Sequence, residues 1–114
     1  MTSDADGGIQ SVKAARNQAL WREVNERTRA RVGGPGDIEF LCECADLDCT
    51  KSLRLSVAEY DRIRTSPVRF PIAFGHDVPQ VEDVVETNDH YVVVQKRGLA
   101  AEVSAKLDPR SGAE

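Results

Sequence analysis

The 114-residue chain has few aromatic residues and no long apolar run. Its rings belong to three phenylalanines, two tyrosines and one tryptophan, so aliphatic side chains must supply most of the core. No segment approaches the roughly 20 consecutive apolar residues that a membrane-spanning helix requires. The first eight residues are polar and acidic, whereas a signal peptide is basic and then apolar. We therefore expect a single cytoplasmic domain that does not bind membranes.

The chain also lacks the motifs of the common enzyme classes. It contains no phosphate-binding G-x-x-x-x-G-K-[ST], no dinucleotide-binding G-x-G-x-x-G, no H-E-x-x-H and no G-x-S-x-G. Adjacent carboxylates such as Glu82 and Asp83 are present, but such pairs are expected as solvated surface in a chain with 19 acidic residues. The sequence therefore predicts a protein that is not an enzyme.

A fourth cysteine is missing, and the three that are present lie within eight residues, at Cys42, Cys44 and Cys49. An odd number of cysteines cannot form a paired disulfide framework, and a ring closed between Cys42 and Cys44 would be strained. Zn²⁺ binds four ligands in a tetrahedron and accepts thiolates readily. We therefore interpret residues 42–49, the cysteine knuckle, as a Zn²⁺ site that needs one ligand from elsewhere in the chain.

The fourth ligand is expected to be His76, with His90 or a carboxylate as alternatives. His76 follows Gly75 at the end of a predicted strand, and glycine permits the tight backbone that a ligand turn requires. His90 lies in a predicted hairpin turn, where histidines are usually solvated. Four protein ligands leave no open coordination position, so such a zinc is structural. A redox sensor is an alternative reading, in which oxidation of a thiolate ejects the metal.

Charge is distributed unevenly along the chain. Residues 10–32 contain six basic and two acidic residues, so they carry +4 while the remainder of the chain carries −8. The basic segment suits the acidic surface of a protein or a phosphate backbone. Because the rest of the chain is acidic, wide contact with nucleic acid is disfavoured. We therefore expect a protein partner, with nucleic acid as the alternative.

Residues 10–32 contain no proline or glycine, and apolar residues recur in them at spacings of three and four. This pattern predicts a helix that begins at Gln10 or Ser11 and ends before the glycines and proline of residues 33–36. In one reading an apolar stripe packs on a sheet, with Trp21 as its anchor and the arginines in water. The stripe consists of Leu20, Trp21, Val24, Thr28 and Val32. In the other reading the helix docks a macromolecular partner through Arg16, Trp21, Arg27, Arg29 and Arg31.

The middle of the chain predicts a hairpin followed by a short helix. Strands at residues 37–41 and 51–55 would flank the cysteine knuckle, which then forms the connection of the hairpin. Ser56 and Glu59 have the spacing of a capping box, and this box starts a helix that ends before Pro67.

The second half predicts strands at residues 68–74 and 91–96, while residues 80–85 are compatible with either strand or helix. Because Pro71 cannot donate a ladder hydrogen bond, its strand must lie at a sheet edge or contain a bulge. The predicted fold class is α+β, with a long N-terminal helix, a small and mostly antiparallel sheet carrying the zinc knuckle, and one short helix. The predicted domains are a disordered leader at 1–9, a zinc-stabilised α+β domain at 10–98, and a weak helix with a flexible tail at 99–114.

Four segments also carry a recognisable pattern: residues 17–27, 40–50, 75–77 and 91–96. Together they resemble a group of small uncharacterised actinobacterial proteins. Those proteins typically have an asparagine-rich amphipathic helix, a Phe-x-Cys-Glu-Cys knuckle and a Pro-Gly-His-Glu segment. In this chain Phe74 replaces the proline and Asp77 the glutamate, so the histidine stays in register. The resemblance implies His76 as the fourth ligand, and it implies no activity.

Overall fold

The structure is a computed structural model that describes residues 2–110, with side chains from residue 8 onward. It confirms the α+β class: three helices accompany five short strands. None of the helices described is both long enough and apolar enough to cross a membrane. In chain order the elements are α1 (Thr2–Arg31), β1 (Asp37–Leu41), β2 (Ser52–Ser56), α2 (Val57–Ile63), β3 (Arg69–Ile72), β4 (Glu82–Thr87), β5 (Val92–Lys96) and α3 (Gly98–Lys106).

The strands form two small antiparallel sheets. One sheet is the β1–β2 hairpin, in which Phe40 lies opposite Leu53, and the cysteine knuckle connects its two strands. The other has the order β3-β5-β4, so Pro71 lies on an edge strand as predicted. The ambiguous segment near residue 80 is strand β4, which pairs with β5 and has a register shift between Val84 and Glu86.

The core lies where the two sheets meet helix α2. The capping box that starts α2 is present, because the side chain of Ser56 accepts from the amide of Glu59 and the Glu59 carboxylate accepts from the amide of Ser56. This cap places Tyr60 on the buried side, where its ring stacks on that of Phe40 with 4.3 Å between centroids. Alternate residues of β2 and the consecutive valines at positions 92–94 of β5 contribute to the core, which also includes Cys42 and Cys44. The first half of the knuckle is therefore part of the core.

Helix α1 begins at Thr2, which corrects the predicted start at Gln10 or Ser11. Met1 lies outside the described residues. No proline interrupts residues 2–31, and each residue added to an existing helix contributes one more hydrogen bond. Helix α3 also flanks this part of α1, since a Cβ atom added to Gly8 would lie 3.9 Å from Leu99 Cδ2.

Two residues of the apolar stripe predicted to pack on a sheet, Leu20 and Val24, are exposed, which is a second correction, whereas Trp21, Thr28 and Val32 are half-buried. Leu20 is 51% exposed and Val24 is 38% exposed. The buried residues of the same helix are instead Gln18, Arg22 and Asn25, together with three alanines. Helix α1 is therefore polar on much of its buried face and partly apolar on its exposed face.

The C-terminal segment packs against the rest of the described chain through α3 and Asp108. Helix α3 covers most of the predicted weak helix and buries Ala100 and Ser104. Beyond it, Asp108 is buried and forms an ion pair with Arg64, which also pairs with Glu26 of α1. The remainder of the predicted tail, residues 111–114, lies outside the described residues.

Candidate metal centre

Three cysteines and one histidine converge at the loop that connects β1 and β2. The ligand atoms of Cys42, Cys44, Cys49 and His76 all lie within 4.8 Å of one another. His76 Nδ1 lies 3.6 Å from Cys42 Sγ and 3.7 Å from Cys49 Sγ. Metal–sulfur bonds of about 2.3 Å and metal–nitrogen bonds of about 2.0 Å in a tetrahedron give an S···N edge of roughly 3.6 Å. The group therefore has the dimensions of a tetrahedral metal site.

The cysteine knuckle positions its three thiols through backbone hydrogen bonds. The amide of Cys42 donates to the Lys51 carbonyl at 3.1 Å, which extends the hairpin by one residue pair. The amide of Cys49 donates to the Asp46 carbonyl at 3.1 Å, and the Asp46 carboxylate accepts from the amide of Asp48 at 2.9 Å. Asp46 therefore acts as a turn residue that directs Cys49 back toward Cys42.

His76 reaches the thiols from the loop that follows β3. Gly75 has a φ of +78°, and the amide of His76 donates to the Ala73 carbonyl at 3.1 Å. This tight turn is the one that the glycine was expected to permit. The amide of Ala73 also donates to Cys42 Sγ at 3.1 Å, so the same loop supplies a hydrogen bond to a thiol. His90 is exposed in the β4–β5 turn, away from the cluster.

The thiols influence one another's protonation. A hydrogen bond between Cys42 and Cys44 lowers the pKa of Cys44 to about 5 and raises that of Cys42. Burial raises the pKa of Cys49. One of the three sulfurs therefore ionises readily, while a bound cation is needed to hold all three as thiolates.

The donor set fits a metal ion that prefers soft ligands and tetrahedral geometry. Cys42 and Cys44 are buried, whereas Cys49 and His76 are half-buried, so solvent reaches only one side of the group. Carboxylates surround the knuckle in sequence, but none belongs to the four-residue group that the described residues form. Cys42, Cys44, Cys49 and His76 could therefore hold a metal ion without further protein ligands.

Glu43, between two of the candidate ligands, is a site residue that the sequence analysis missed. Its side chain is fully buried and accepts three hydrogen bonds. They come from Arg22 Nε at 3.3 Å, from Asn25 Nδ2 at 2.9 Å and from the Tyr60 hydroxyl at 2.9 Å. Burial and the neighbouring Glu43 charge both raise the pKa of Tyr60, so it remains a hydroxyl donor. Glu43 thus connects the knuckle to α1 and α2.

Helix α1 also binds the backbone of the knuckle directly. Asn17 Nδ2 donates to the Ala45 carbonyl at 2.7 Å, Gln18 Nε2 to the Glu43 carbonyl at 2.9 Å, and Trp21 Nε1 to the Asp46 carbonyl at 3.1 Å. Asn25 pairs with the backbone of Leu41 in both directions, accepting from its amide at 2.8 Å and donating to its carbonyl at 2.9 Å. The helix therefore holds the segment that carries the ligands along three of its turns.

The polar contacts continue from the knuckle into the second sheet. Arg22 donates to the carbonyls of Pro67 and Arg69 and places its guanidinium 3.7 Å from the centroid of the Phe70 ring. Lys96 of β5 donates to Gln18 and forms a buried ion pair with Glu82 at 2.9 Å. Burial lowers the pKa of both Arg22 and Lys96, and the paired carboxylates oppose that shift. The network connects α1, the knuckle and both sheets.

A sequence signal for this network does exist. Gln18, Arg22 and Asn25 lie four and three residues apart, which places them on one face of a helix. Because all three side chains are polar, their hydropathy predicts that this face of the helix is exposed to water. The spacing was detectable, but it gave no indication that unpaired backbone groups of the knuckle would lie opposite.

The five residues proposed for partner binding separate into two groups. Arg16, Arg27 and Arg31 are exposed, and no carboxylate within residues 8–110 pairs with them. Trp21 and Arg29 have contacts within the molecule: Trp21 binds Asp46, and Arg29 pairs with Asp61 through two hydrogen bonds of 2.9 Å. The surface open to a partner is therefore defined by the first three.

The chain matches no protein-family model, and neither a curated protein nor a solved structure is significantly similar to it.

Proposed function

We propose that this protein is a non-enzymatic interaction or regulatory module, held together by a structural Zn²⁺ and docking a macromolecular partner through helix α1. The ligands are Cys42, Cys44, Cys49 and His76. The observation that carries the zinc assignment is the convergence of these four donor atoms within 4.8 Å. Three sulfurs and one imidazole nitrogen in a tetrahedral arrangement are characteristic of structural zinc.

The position of Glu43 supports a structural role for the metal. A carboxylate fixed between two ligands by Arg22, Asn25 and Tyr60 makes the orientation of α1 depend on the conformation of the knuckle. With four protein ligands the zinc has no open position for water or substrate. The ion then acts as a cross-link, which a domain of this size uses to supplement a small core.

The docking role is supported by the unpaired arginines of α1. Arg16, Arg27 and Arg31 keep their charges in water, although most other arginines in the described chain form ion pairs or buried hydrogen bonds. The rest of the chain has the opposite charge, so a partner attracted to α1 is repelled elsewhere. This arrangement favours one orientation of binding.

The test is recovery of partners from a lysate of the native host. We expect the triple variant Arg16→Ala, Arg27→Ala, Arg31→Ala to lose specifically recovered proteins that the wild type retains. Arg54→Ala is the matched control, because Arg54 is an exposed arginine of β2. Circular dichroism and zinc content must be the same in all three proteins. Unchanged recovery by the triple variant would exclude docking through α1.

A further inference from the structure

A groove runs along the exposed side of α1, between this helix and the segment that follows α3. It consists of two adjoining cavities of about 350 Å³ and 340 Å³, which share Glu23 and Leu107. Arg16 lines one cavity, and Arg27 lines the other together with Glu26, whose carboxylate is ion-paired with Arg64 and Arg110. We call these cavities together the α1 groove.

The floor and walls of the α1 groove are largely apolar. Leu20 is 51% exposed on the helix side, and Leu107 is 41% exposed on the opposite side. Ala19 lines one cavity and Ala30 the other, and their small side chains leave space in each. Val24, beside the groove, is 38% exposed. The described chain leaves these three larger side chains 38–51% exposed, so a ligand with apolar groups would bury the remaining surface.

Charged residues continue the line of the groove along the helix. Positions 13, 16, 20, 23, 27 and 31 are spaced three and four apart, so they form one seam about 27 Å long. The seam carries Lys13, Arg16, Arg27 and Arg31 against the single carboxylate of Glu23. All five are exposed. A ligand that follows this seam meets leucine in the middle and cations toward both ends.

We propose that the α1 groove binds an acidic amphipathic helix of a partner protein. This inference rests on the proposed docking function and specifies the class of partner. A second copy of the chain fits less well, because packing two such seams would bring cations against cations. A phosphate backbone would pair with the arginines but would leave Leu20 and Leu107 in water. An acidic helix with an apolar stripe satisfies both features.

The geometry defines what the partner helix must carry. Leu20 and Leu107 require apolar residues repeating at three and four positions along about four to five turns. Arg16 and Arg27 are eleven residues apart, or about 16 Å along the axis, so carboxylates are needed toward both ends of the apolar contact at that axial separation. Glu23 disfavours a further carboxylate at the centre.

The experiment uses two synthetic probes and measures fluorescence anisotropy at 0.15 M salt. One probe is a 21-residue peptide with leucine at heptad positions a and d, glutamate at e and g of the first and third heptads, and glutamine at e and g of the middle heptad. Its twin has lysine in place of each glutamate. We expect the acidic peptide to bind and the lysine twin to bind at least tenfold more weakly. Heteronuclear NMR shifts of the bound protein should cluster at Leu20 and Leu107.

Variants of the seam locate the binding. Arg16→Glu with Arg27→Glu should weaken the acidic peptide at least tenfold, and Leu20→Glu should weaken it comparably. Arg54→Glu on β2, which makes the same charge change as either Arg16→Glu or Arg27→Glu alone, should leave affinity within twofold, whereas each of these two single variants should weaken binding by more than twofold. Equal losses in the seam and control variants would overturn the proposal, because they would indicate non-specific attraction.

Other outcomes that would overturn it are no binding of the acidic peptide, and a dimer in light scattering that Leu20→Glu dissociates. Tighter binding of a 20-nucleotide DNA than of the peptide, with the same dependence on Arg16 and Arg27, would assign the seam to nucleic acid. If lysate recovery depends on Arg16, Arg27 and Arg31 while the peptide fails, the partner class is wrong and the docking function stands. If recovery is independent of them, both are wrong.

Discussion

The two faces of helix α1 are the reverse of what their hydropathy suggests. The face that contains Gln18, Arg22 and Asn25 is buried, and the face that contains Leu20 and Val24 is exposed. The difference lies in what stands opposite each face. A knuckle made of ligand-bearing loops presents carbonyl and amide groups that β-strand pairing does not satisfy, and these groups need polar partners when they are buried. Burial in this helix therefore follows hydrogen-bonding demand more closely than apolarity.

The contact between the buried face of α1 and the knuckle and second sheet, called the inner side, contains buried charges. Glu43 is buried with Arg22, and Lys96 with Glu82. Replacing buried pairs of this kind by apolar residues is often neutral or stabilising, so their presence alone is no argument for high stability. They specify instead how α1 is oriented on the knuckle, because only one arrangement of the helix satisfies all of these groups.

The largest effect is expected from removing a ligand on the inner side. Cys44→Ser should release the metal and abolish cooperative thermal unfolding, because structural zinc contributes about 10 kcal/mol or more, as much as the whole stability of a small domain. Calorimetry together with metal analysis measures both. Thr50→Ser, a substitution next to the knuckle that removes no ligand, is the control. A Cys44→Ser variant that unfolds like the wild type would mean that no metal supports the fold.

The next largest loss of stability is expected from neutralising Glu43, the buried carboxylate of the knuckle. Glu43→Gln keeps the shape but leaves Arg22 buried without its counter-charge, and breaking a buried pair costs about 3–5 kcal/mol. Urea unfolding of the zinc-loaded proteins measures the difference in the free energy of unfolding. Glu39→Gln, at an exposed position of β1, should change it by less than about 0.5 kcal/mol. Equal effects would show that Glu43 is not a buried anchor.

The two faces can be compared directly by exchanging polarity. Asn25→Leu should lower the free energy of unfolding by about 2 kcal/mol or more, because the amide and carbonyl of Leu41 and one oxygen of Glu43 lose a partner. Leu20→Gln should change it by less than about 0.5 kcal/mol, since Leu20 is exposed. If α1 packed through its apolar stripe, the order of the two effects would be reversed. Urea denaturation of both variants distinguishes the two arrangements.

Local chemistry explains what the sequence could predict. The knuckle, His76, the capping box of Ser56 with Glu59 and the edge position of Pro71 follow from residues close in the chain or from groups with few alternatives. The four metal ligands are limited by tetrahedral coordination and by the small number of histidines in the chain, and Pro71 is limited by its missing amide hydrogen. Such constraints can be recognised from residue types and short spacings.

The orientation of α1 could not be predicted in this way. It depends on hydrogen bonds between residues 16 to 28 positions apart, such as those from Asn17 to Ala45 and from Asn25 to Leu41. The docking of the C-terminal segment depends on the pairing of Arg64 with Asp108, 44 residues apart. Hydropathy patterns cannot show which backbone groups a distant loop will leave without partners.

The smallest predicted effect concerns the outer ion pairs of α1, whose contribution to stability is present at neutral pH and is lost on acidification. The hydrogen bond from Arg29 is the main cause that lowers the pKa of Asp61, with Arg110 adding to it. A carboxylate whose folded-state pKa is lowered adds stability above its unfolded pKa of about 3.9, and this stability is lost as pH falls through the folded pKa. The difference in unfolding free energy between wild type and Asp61→Asn should therefore be constant from pH 7 to about 5 and shrink below about pH 4.

Subtraction between the two proteins cancels any metal loss that they share. A difference for Asp61→Asn that grows on acidification would contradict the Arg29–Asp61 assignment.

The central claim is a closed Zn²⁺ site on Cys42, Cys44, Cys49 and His76, and metal content of the purified protein tests it most directly. Elemental and native mass spectrometry should be run on the wild type beside His76→Ala and His90→Ala. One zinc per chain, lost in His76→Ala and kept in His90→Ala, is the predicted result. No bound metal in the wild type, or full zinc retention in His76→Ala, would contradict the site.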